Sequence, residues 1–158
     1  SRLSMKSWDS KKVEEVKFSC NGCSLCCRFK GGVVMLSEDD LSRLASWAEL
    51  TEEQFIKVYC QWLENADGKE YLCLKTMHKS EETDDCIFWD PSIPGCQCYK
   101  VRPVQCSTYP FWTKILESKE KWDAEKKHCP GINEGEIHPA KEIESELKKY
   151  EGRIPITR

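Results

Sequence analysis

The chain has 158 residues with a formal net charge of −3, and 39% of its residues are hydrophobic. This length suits one domain. The lack of a basic excess argues against a nucleic-acid partner, and the lack of a long apolar run argues against a membrane span. Residues 1–17 also lack the apolar core of a secretory signal peptide, so we expect a cytoplasmic protein without membrane contact.

Two helices are predicted in the first half of the chain. A charged arm over residues 1–17, a cysteine-rich turn and a short strand in "GGVVML" precede them. Ser37 with Asp40 forms the pattern of a capping box, and Thr51 with Gln54 repeats it. Apolar residues at helical spacing follow both caps, which predicts two amphipathic helices.

The second half of the chain is rich in turns. "KEYLCLKTM" and "CIFWD" predict short strands, whereas the two prolines of "KVRPVQCSTYPFW" limit it to turns and a short helical piece. "CPGINEGEIHP" predicts an irregular segment, and a last helix is predicted to start near Pro139 and to stop at Gly152. We therefore expect a small α+β fold with about three helices and a short antiparallel sheet. Few aliphatic residues lie in the middle of the chain, so we expect a metal site to organise it.

Cysteine is the outlying residue type, because the chain contains eleven. These residues can form disulfides, bind a metal or lie as thiols in a core. The odd count and the lack of an export signal favour reduced thiols. Cys26 and Cys27 support this interpretation, because adjacent cysteines are poorly placed to bridge each other.

Residues 18–29, "FSCNGCSLCCRF", place four cysteines in the pattern C-x-x-C-x-x-C-C. A C-x-x-C turn lets two sulfurs face one ion, which suits a four-ligand zinc site. The run C-x-x-C-x-x-C also occurs in bacterial 4Fe–4S ferredoxins, where a further cysteine is followed by proline. Here Cys129 is followed by Pro130. The spacing leaves zinc and an iron–sulfur cluster both open.

The remaining cysteines divide into two groups. Those in irregular segments are candidate ligands: Cys86, Cys96, Cys98, Cys106 and Cys129. Cys60 falls in the second predicted helix and Cys73 in a strand pattern. We expect these two to be small buried apolar residues.

The order of these motifs resembles the CxxCxxCC family of zinc- or iron-chelating domains. The resemblance rests on "CNGCSLCC", "CIFWD", "CQCYKVRPVQCSTYPFW" and "CPGINEG". Cys98 and Ser107 depart from the family pattern, in which an apolar and a basic residue are usual. The resemblance implies eight shared cysteines as metal ligands: Cys20, Cys23, Cys26, Cys27, Cys86, Cys96, Cys106 and Cys129. Eight cysteines allow two four-ligand sites, or one cubane cluster with four cysteines left over.

Two further residues of the matching signature are predicted to contact the bound metal or cluster. They are Tyr99 and Arg102. A guanidinium beside several thiolates would stabilise their negative charge. The resemblance thus implies a cofactor environment that extends beyond the cysteines.

The motifs and the resemblance together imply a metal-binding protein that holds an iron–sulfur cluster (4Fe–4S) or zinc in an accessory or redox role. A structural zinc protein serving as a protein-binding module, and a metal-dependent transferase or oxidoreductase, stay open as alternatives. The predicted partner is the metal ion or cluster, with a protein partner left open. The predicted domains are a charged arm at 1–17, a metal-binding domain at 18–135, and a C-terminal helix at 136–158 packed on that domain.

Overall fold

A computed structural model describes residues 13–23, 25–29, 31–78 and 81–158. In these residues the chain forms five α-helices: α1 (Glu38–Trp47), α2 (Glu52–Tyr59), α3 (Val104–Thr108), α4 (Lys119–Ala124) and α5 (Ala140–Gly152). Its eight strands there are β1 (Glu15–Phe18), β2 (Cys60–Glu64), β3 (Glu70–Leu74), β4 (Thr76–His78), β5 (Asp84–Cys86), β6 (Trp89–Asp90), β7 (Gly95–Cys96) and β8 (Ile132–Pro139). Three 3-10 turns span Leu25–Cys27, Tyr99–Val101 and Glu125–Lys127.

The strands of the described residues pair in twos, as β1 with β8, β2 with β3, β4 with β5, and β6 with β7. All four pairs are antiparallel. The predicted α+β class is confirmed, but there are more helices than the three or so expected, and four strand pairs replace one short sheet. Helix α3 is the short helical piece predicted within "KVRPVQCSTYPFW". Helix α4 was not predicted, because its six residues are too few to show a periodic pattern in the sequence.

The chain divides into two compact units. Unit 1 combines the chain up to Cys23 with Thr108–Gly152, and unit 2 combines Ser24–Ser107 with Arg153–Arg158. The predicted arm lies outside the described residues as far as position 12, and the residues from Glu15 onward belong to β1. The predicted domain limits at 1–17, 18–135 and 136–158 stay a prediction.

Unit 1 is built on the pairing of β1 with β8. The segment "CPGINEGEIHP", predicted to be irregular, therefore contains a strand, because β1 supplies backbone partners that the local sequence does not reveal. In the core of this unit Phe111 stacks on Trp122, with ring centroids 5.9 Å apart. Helix α5 adds the buried residues Ile143 and Leu147.

Helix α4 has no counterpart among the predicted elements. Ser118 caps its first turn by accepting a hydrogen bond from the N–H of Lys121 at 3.1 Å. The side chain of Trp122 is buried in the core of unit 1. The cap and this single buried side chain are the local features that mark the helix in the sequence.

Both predicted capping boxes are confirmed in unit 2. Ser37 accepts from the N–H of Asp40, and the N–H of Ser37 donates to the Asp40 carboxylate. Thr51 and Gln54 form the same reciprocal pair at the start of α2. The two helices bury their apolar faces in a core that includes Phe55.

Helix α2 is shorter than predicted, because it ends at Tyr59 and Cys60 begins β2. Pairing with β3, in which Cys60 lies opposite Leu74, outweighs the helical spacing of the apolar residues. Cys60 and Cys73 are 5% and 1% exposed, which confirms their predicted burial.

The segment "GGVVML" forms an isolated bridge from Met35 to Cys73 where a strand was predicted. The N–H of Leu36 donates to the carbonyl of Leu72 at 3.0 Å. The N–H of Leu72 in turn donates to the carbonyl of Ile156 at 3.0 Å. Backbone hydrogen bonds therefore join β3 to the segment that contains Leu36 and to the segment that contains Ile156, without forming a regular ladder.

Candidate metal centre

The 3-10 turn Leu25–Cys27 presents two adjacent thiols near the start of unit 2. The N–H of Arg28 closes the turn by donating to the carbonyl three residues earlier, at 2.9 Å. The Cys27 thiol hydrogen-bonds with both Cys26 and Cys96. Residues far apart in the sequence therefore meet at Cys27.

Two short hairpins carry the next cysteines. Cys86 ends β5 and lies opposite Thr76 of β4. Cys96 ends β7 and lies opposite Trp89 of β6. The Sγ atoms of Cys96 and Cys98 are 3.5 Å apart, which is within reach of a thiol hydrogen bond.

Helix α1 holds the segment 98–106. The Oδ1 atom of the buried Asp40 accepts from the N–H of Val104 at 3.0 Å and from Nη2 of Arg43 at 2.7 Å. The Nη1 atom of Arg43 donates to two successive carbonyls, the second being that of Arg102, each at 3.2 Å. The segment that carries Cys98 and Cys106 is thus fixed by side-chain to backbone hydrogen bonds.

Six cysteines of unit 2 interact through hydrogen bonds or charge, and we call them the thiol cluster. They are Cys26, Cys27, Cys86, Cys96, Cys98 and Cys106. Five of them belong to the predicted ligand set. Cys98, the departure from the family pattern, is the sixth.

Two members of the thiol cluster favour the thiolate form. Hydrogen bonds from Cys27 and Cys98 lower the pKa of Cys96 to about 3. Cys27 shares its single thiol proton between Cys96 and Cys26, and this hydrogen bond lowers the pKa of Cys26 to about 7. The positive charge of Arg102 acts in the same direction on Cys26 and Cys96. Since the thiolate is the metal-binding form, Cys26 and Cys96 are the best-prepared ligands of the cluster.

The other members of the thiol cluster favour the protonated form. Burial raises the pKa of Cys86 to about 11 and raises that of Cys106 well above its ordinary value. The pKa values of Cys27 and Cys98 are raised because both thiols donate to a neighbouring sulfur. Deprotonation of these thiols would require a compensating cation, which a metal ion would supply.

Arg102 lies close enough to the thiol cluster to lower the pKa of Cys26 and Cys96. Its Cζ atom is 3.9 Å from the centre of the Tyr99 ring, and its Nε donates to the Tyr99 carbonyl at 3.0 Å. The side chain of Tyr99 is largely exposed. The structure therefore gives Tyr99 a contact with Arg102, and its contact with a bound metal or cluster stays a prediction.

Three predicted ligands belong to unit 1. Cys20 and Cys23 are exposed, and Cys129 is half-buried. The N–H of Ser19 donates to the carbonyl of Gly131 at 3.3 Å, so the segments that carry Cys20 and Cys129 run side by side. The sharing of all eight cysteines in metal binding stays a prediction.

The donor atoms of the thiol cluster are all sulfur, a set that suits zinc and iron–sulfur clusters. Across the described parts of the chain, no three His, Cys, Asp or Glu side chains stand in a group that could already hold a metal ion. The chemistry of the donors thus fits such a metal, and binding would require the sulfurs to close around it.

The sequence did not reveal the side chains that connect the segments of the site. The Nε atom of Arg28 donates to Oδ1 of Asp85 at 2.7 Å. The side-chain amide of Gln105 accepts from the N–H of Met35 at 2.9 Å and donates to the carbonyl of Val33 at 2.8 Å. These partners are 57 or more residues apart in the chain. The available signal was a polar side chain next to a cysteine, which is also common on solvated surfaces.

The fold and the clustered thiols define a cysteine-rich α+β class of domain. The chain belongs to the CxxCxxCC family, described as "Putative zinc- or iron-chelating domain", and the match covers residues 19–130. This confirms the resemblance seen in the sequence. It also supports metal binding, with zinc or iron as the metal.

One relative is "Uncharacterized protein MJ0661" of Methanocaldococcus jannaschii, which is 24% identical over 140 residues. The match covers 85% of this chain and 66% of that protein, so the chain spans just under two thirds of the relative's length. No solved structure matches the chain. Among the helices of the described residues, none is both long enough and apolar enough to cross a membrane.

Proposed function

We propose that this protein is a cytoplasmic metal-binding protein that holds an iron–sulfur cluster or zinc in an accessory or redox role. The observation that carries the proposal is the thiol cluster, in which six cysteines of unit 2 interact. Cys60 and Cys73 differ, because burial is the main cause of their raised pKa values, whereas hydrogen bonds with two thiols are the main cause of the lowered pKa of Cys96. The reduced thiols that the proposal requires are maintained in the cytoplasm.

The proposed ligands are the eight cysteines of the family pattern: Cys20, Cys23, Cys26, Cys27, Cys86, Cys96, Cys106 and Cys129. Unit 2 contributes five of them, which exceeds the four needed for a tetrahedral thiolate site. Arg102 and Tyr99 line the proposed site, with Arg102 offsetting thiolate charge. Cys98 donates a hydrogen bond to Cys96 and supports that ligand.

The 4Fe–4S cluster is the first candidate, because the run C-x-x-C-x-x-C is a ligand pattern of such clusters. Structural zinc in a protein-binding module is the second candidate. Two cysteines of that run, Cys20 and Cys23, belong to unit 1, whereas unit 2 alone has enough thiols for a four-ligand zinc site. This division favours zinc.

Metal analysis of protein purified without oxygen tests the proposal and separates the two candidates. A brown protein that contains iron and acid-labile sulfide would identify the cluster. A colourless protein that contains zinc and neither iron nor sulfide would identify the zinc site. Protein from iron- and zinc-supplemented cells that contains neither metal would overturn the proposed function.

A pair of cysteine variants locates the metal. We expect Cys96→Ser to lose most of the bound metal, because it removes the thiolate that two neighbouring thiols stabilise. Cys60→Ser is the control in the same unit, and we expect it to retain the full metal content because Cys60 lies in the core. Equal metal loss from both variants would contradict the assignment of the thiol cluster.

A further inference from the structure

Arg28 links the turn that carries Cys27 to both cysteine hairpins. Its Nε atom donates to Oδ1 of Asp85 at 2.7 Å, and the Asp85 side chain is 3% exposed. Its Cζ atom lies 4.1 Å from the centre of the Trp89 ring. One guanidinium therefore contacts a side chain of β5 and a side chain of β6.

Each of these three residues is a direct neighbour of a cysteine of the thiol cluster, either in the sequence or across a strand pair. Arg28 follows Cys27, Asp85 precedes Cys86, and Trp89 lies opposite Cys96 in the β6–β7 pair. Adjacent Cα atoms are about 3.8 Å apart, and cross-strand Cβ atoms are about 4.5–5.5 Å apart. Displacing the Arg28 side chain would thus shift the positions of three cysteines.

A neighbouring hydrogen bond strengthens the same connection. The Oδ2 atom of Asp84, next to Asp85 on β5, accepts from the N–H of Gly31 at 2.7 Å. Two adjacent carboxylates of β5 therefore hold the chain just after Cys27, one through Arg28 and one through the backbone. The position of this segment is set by β5 as well as by its own short turn.

Two polar atoms at this contact are buried without a hydrogen-bond partner among the residues that the structure describes. They are Oδ2 of Asp85 and Nε1 of Trp89. An unpaired buried polar atom is costly, and apolar side chains would avoid that cost. The presence of the Asp85 carboxylate and the Trp89 ring next to three cysteines in spite of this cost argues for a role other than stability alone.

We propose that Arg28, Asp85 and Trp89 are positioning residues that hold Cys27, Cys86 and Cys96 in the geometry required for metal binding. This inference rests on the proposed function. The three residues support the thiols from neighbouring positions and are not themselves ligands. Planar guanidinium geometry matters here, because one side chain must satisfy a carboxylate and an aromatic face together.

The chain contains a matched control in the same unit. Nε of Arg158 lies 3.2 Å from Oε1 of Glu70, and its Cζ atom lies 4.4 Å from the centre of the Trp62 ring. This second arginine, carboxylate and tryptophan contact involves β2 and β3. Its loss should remove one exposed contact of unit 2 without displacing the thiol cluster.

Co²⁺ binding measures the effect, because thiolate ligands give Co²⁺ intense charge-transfer absorption. We expect Arg28→Ala to weaken Co²⁺ affinity by about 10–100-fold, as is typical for groups that orient metal ligands, and to reduce the thiolate absorption at saturation. Trp89→Ala should also weaken Co²⁺ affinity. Trp89→Phe retains an aromatic face, so its affinity should be close to that of the wild type. Arg158→Ala should leave both the affinity and the spectrum unchanged.

Unchanged Co²⁺ affinity and absorption in Arg28→Ala would overturn the positioning inference, and so would an equal loss in Arg158→Ala. If Arg28→Ala fails to fold, as judged by near-ultraviolet circular dichroism, Arg28→Lys provides the test. That variant keeps the charge beside Asp85 but loses the planar contact with Trp89, and wild-type binding by it would also overturn the inference. Failure of the wild-type protein to bind any metal would instead overturn the proposed function itself.

Discussion

At the scale of single residues, cysteine has two distinct states in unit 2. Cys60 lies among apolar side chains, and burial raises its pKa to about 12. Cys96 accepts hydrogen bonds from two thiols, which lower its pKa to about 3. The same side chain is therefore an apolar core residue at one position and a thiolate at another, because its surroundings decide which form is stable.

The glycine of the "CPG" motif gives a prediction at this scale. A Cβ atom at position 131 would overlap the carbonyl oxygen of Ser19, a backbone atom that cannot rotate away. We expect Gly131→Ala to lower the free energy of unfolding by about 1–3 kcal/mol, measured by urea denaturation. Gly152→Ala is the control, because no atom lies within 4 Å of its added Cβ and alanine favours the helix. A larger loss at Gly152 than at Gly131 would contradict this explanation.

At the scale of elements, the site depends on short pieces that cannot stand alone. The 3-10 turn Leu25–Cys27 has three residues, and β7 has two. Isolated turns and strands of this length are not stable in water, so tertiary hydrogen bonds must hold them. Asp40 is the main example, because its carboxylate caps α1 and also binds the N–H of Val104.

Two neighbouring aspartates of α1 allow a test of this dependence. Asp40 is completely buried, whereas the side chain of Asp39 is 76% exposed, and both bind Arg43. We expect Asp40→Ala to lower the free energy of unfolding by about 2–4 kcal/mol, because it leaves buried donors unpaired. Asp39→Ala should cost no more than about 0.5 kcal/mol in the same thermal or urea unfolding experiment. Similar costs at the two positions would show that the link to Val104 contributes little.

At the scale of the whole molecule, each unit has its own hydrophobic core. In unit 2 that core is formed mainly by α1, α2, β2 and β3. The segments around the thiol cluster are less regular, and their hydrogen bonds are largely turns and side-chain contacts. A bound metal would contribute most of its folding free energy to those segments.

Hydrogen–deuterium exchange of the metal-loaded protein before and after chelation tests this expectation. We expect removal of the metal to speed exchange strongly at residues 95–106, because the thiols there lose their common partner. Residues 60–74 are the internal control, since Leu72 and Leu74 of β3 lie in the hydrophobic core and should remain protected. Unchanged exchange at 95–106, or equal loss of protection in both segments, would argue against a metal that organises the site.

Features of the fold that depend on residues close together in the sequence were predicted, and features that depend on distant residues were not. The capping boxes at Ser37 and Thr51 were predicted correctly, because each involves residues three apart. The change from helix to strand at Cys60 was not, because it depends on pairing with β3. The short helix α4 was missed since its six residues carry little periodic signal.

The candidate site divides in the same way. Sequence alone determined the family and the burial of Cys60 and Cys73, because these follow from residue type and spacing. Only the tertiary structure decided that Cys27 meets Cys96, and that Arg28 connects Asp85 to Trp89. The physical reason is that hydrogen bonds and ring contacts act over a few ångströms in space, while these partners are separated by more than fifty positions along the chain.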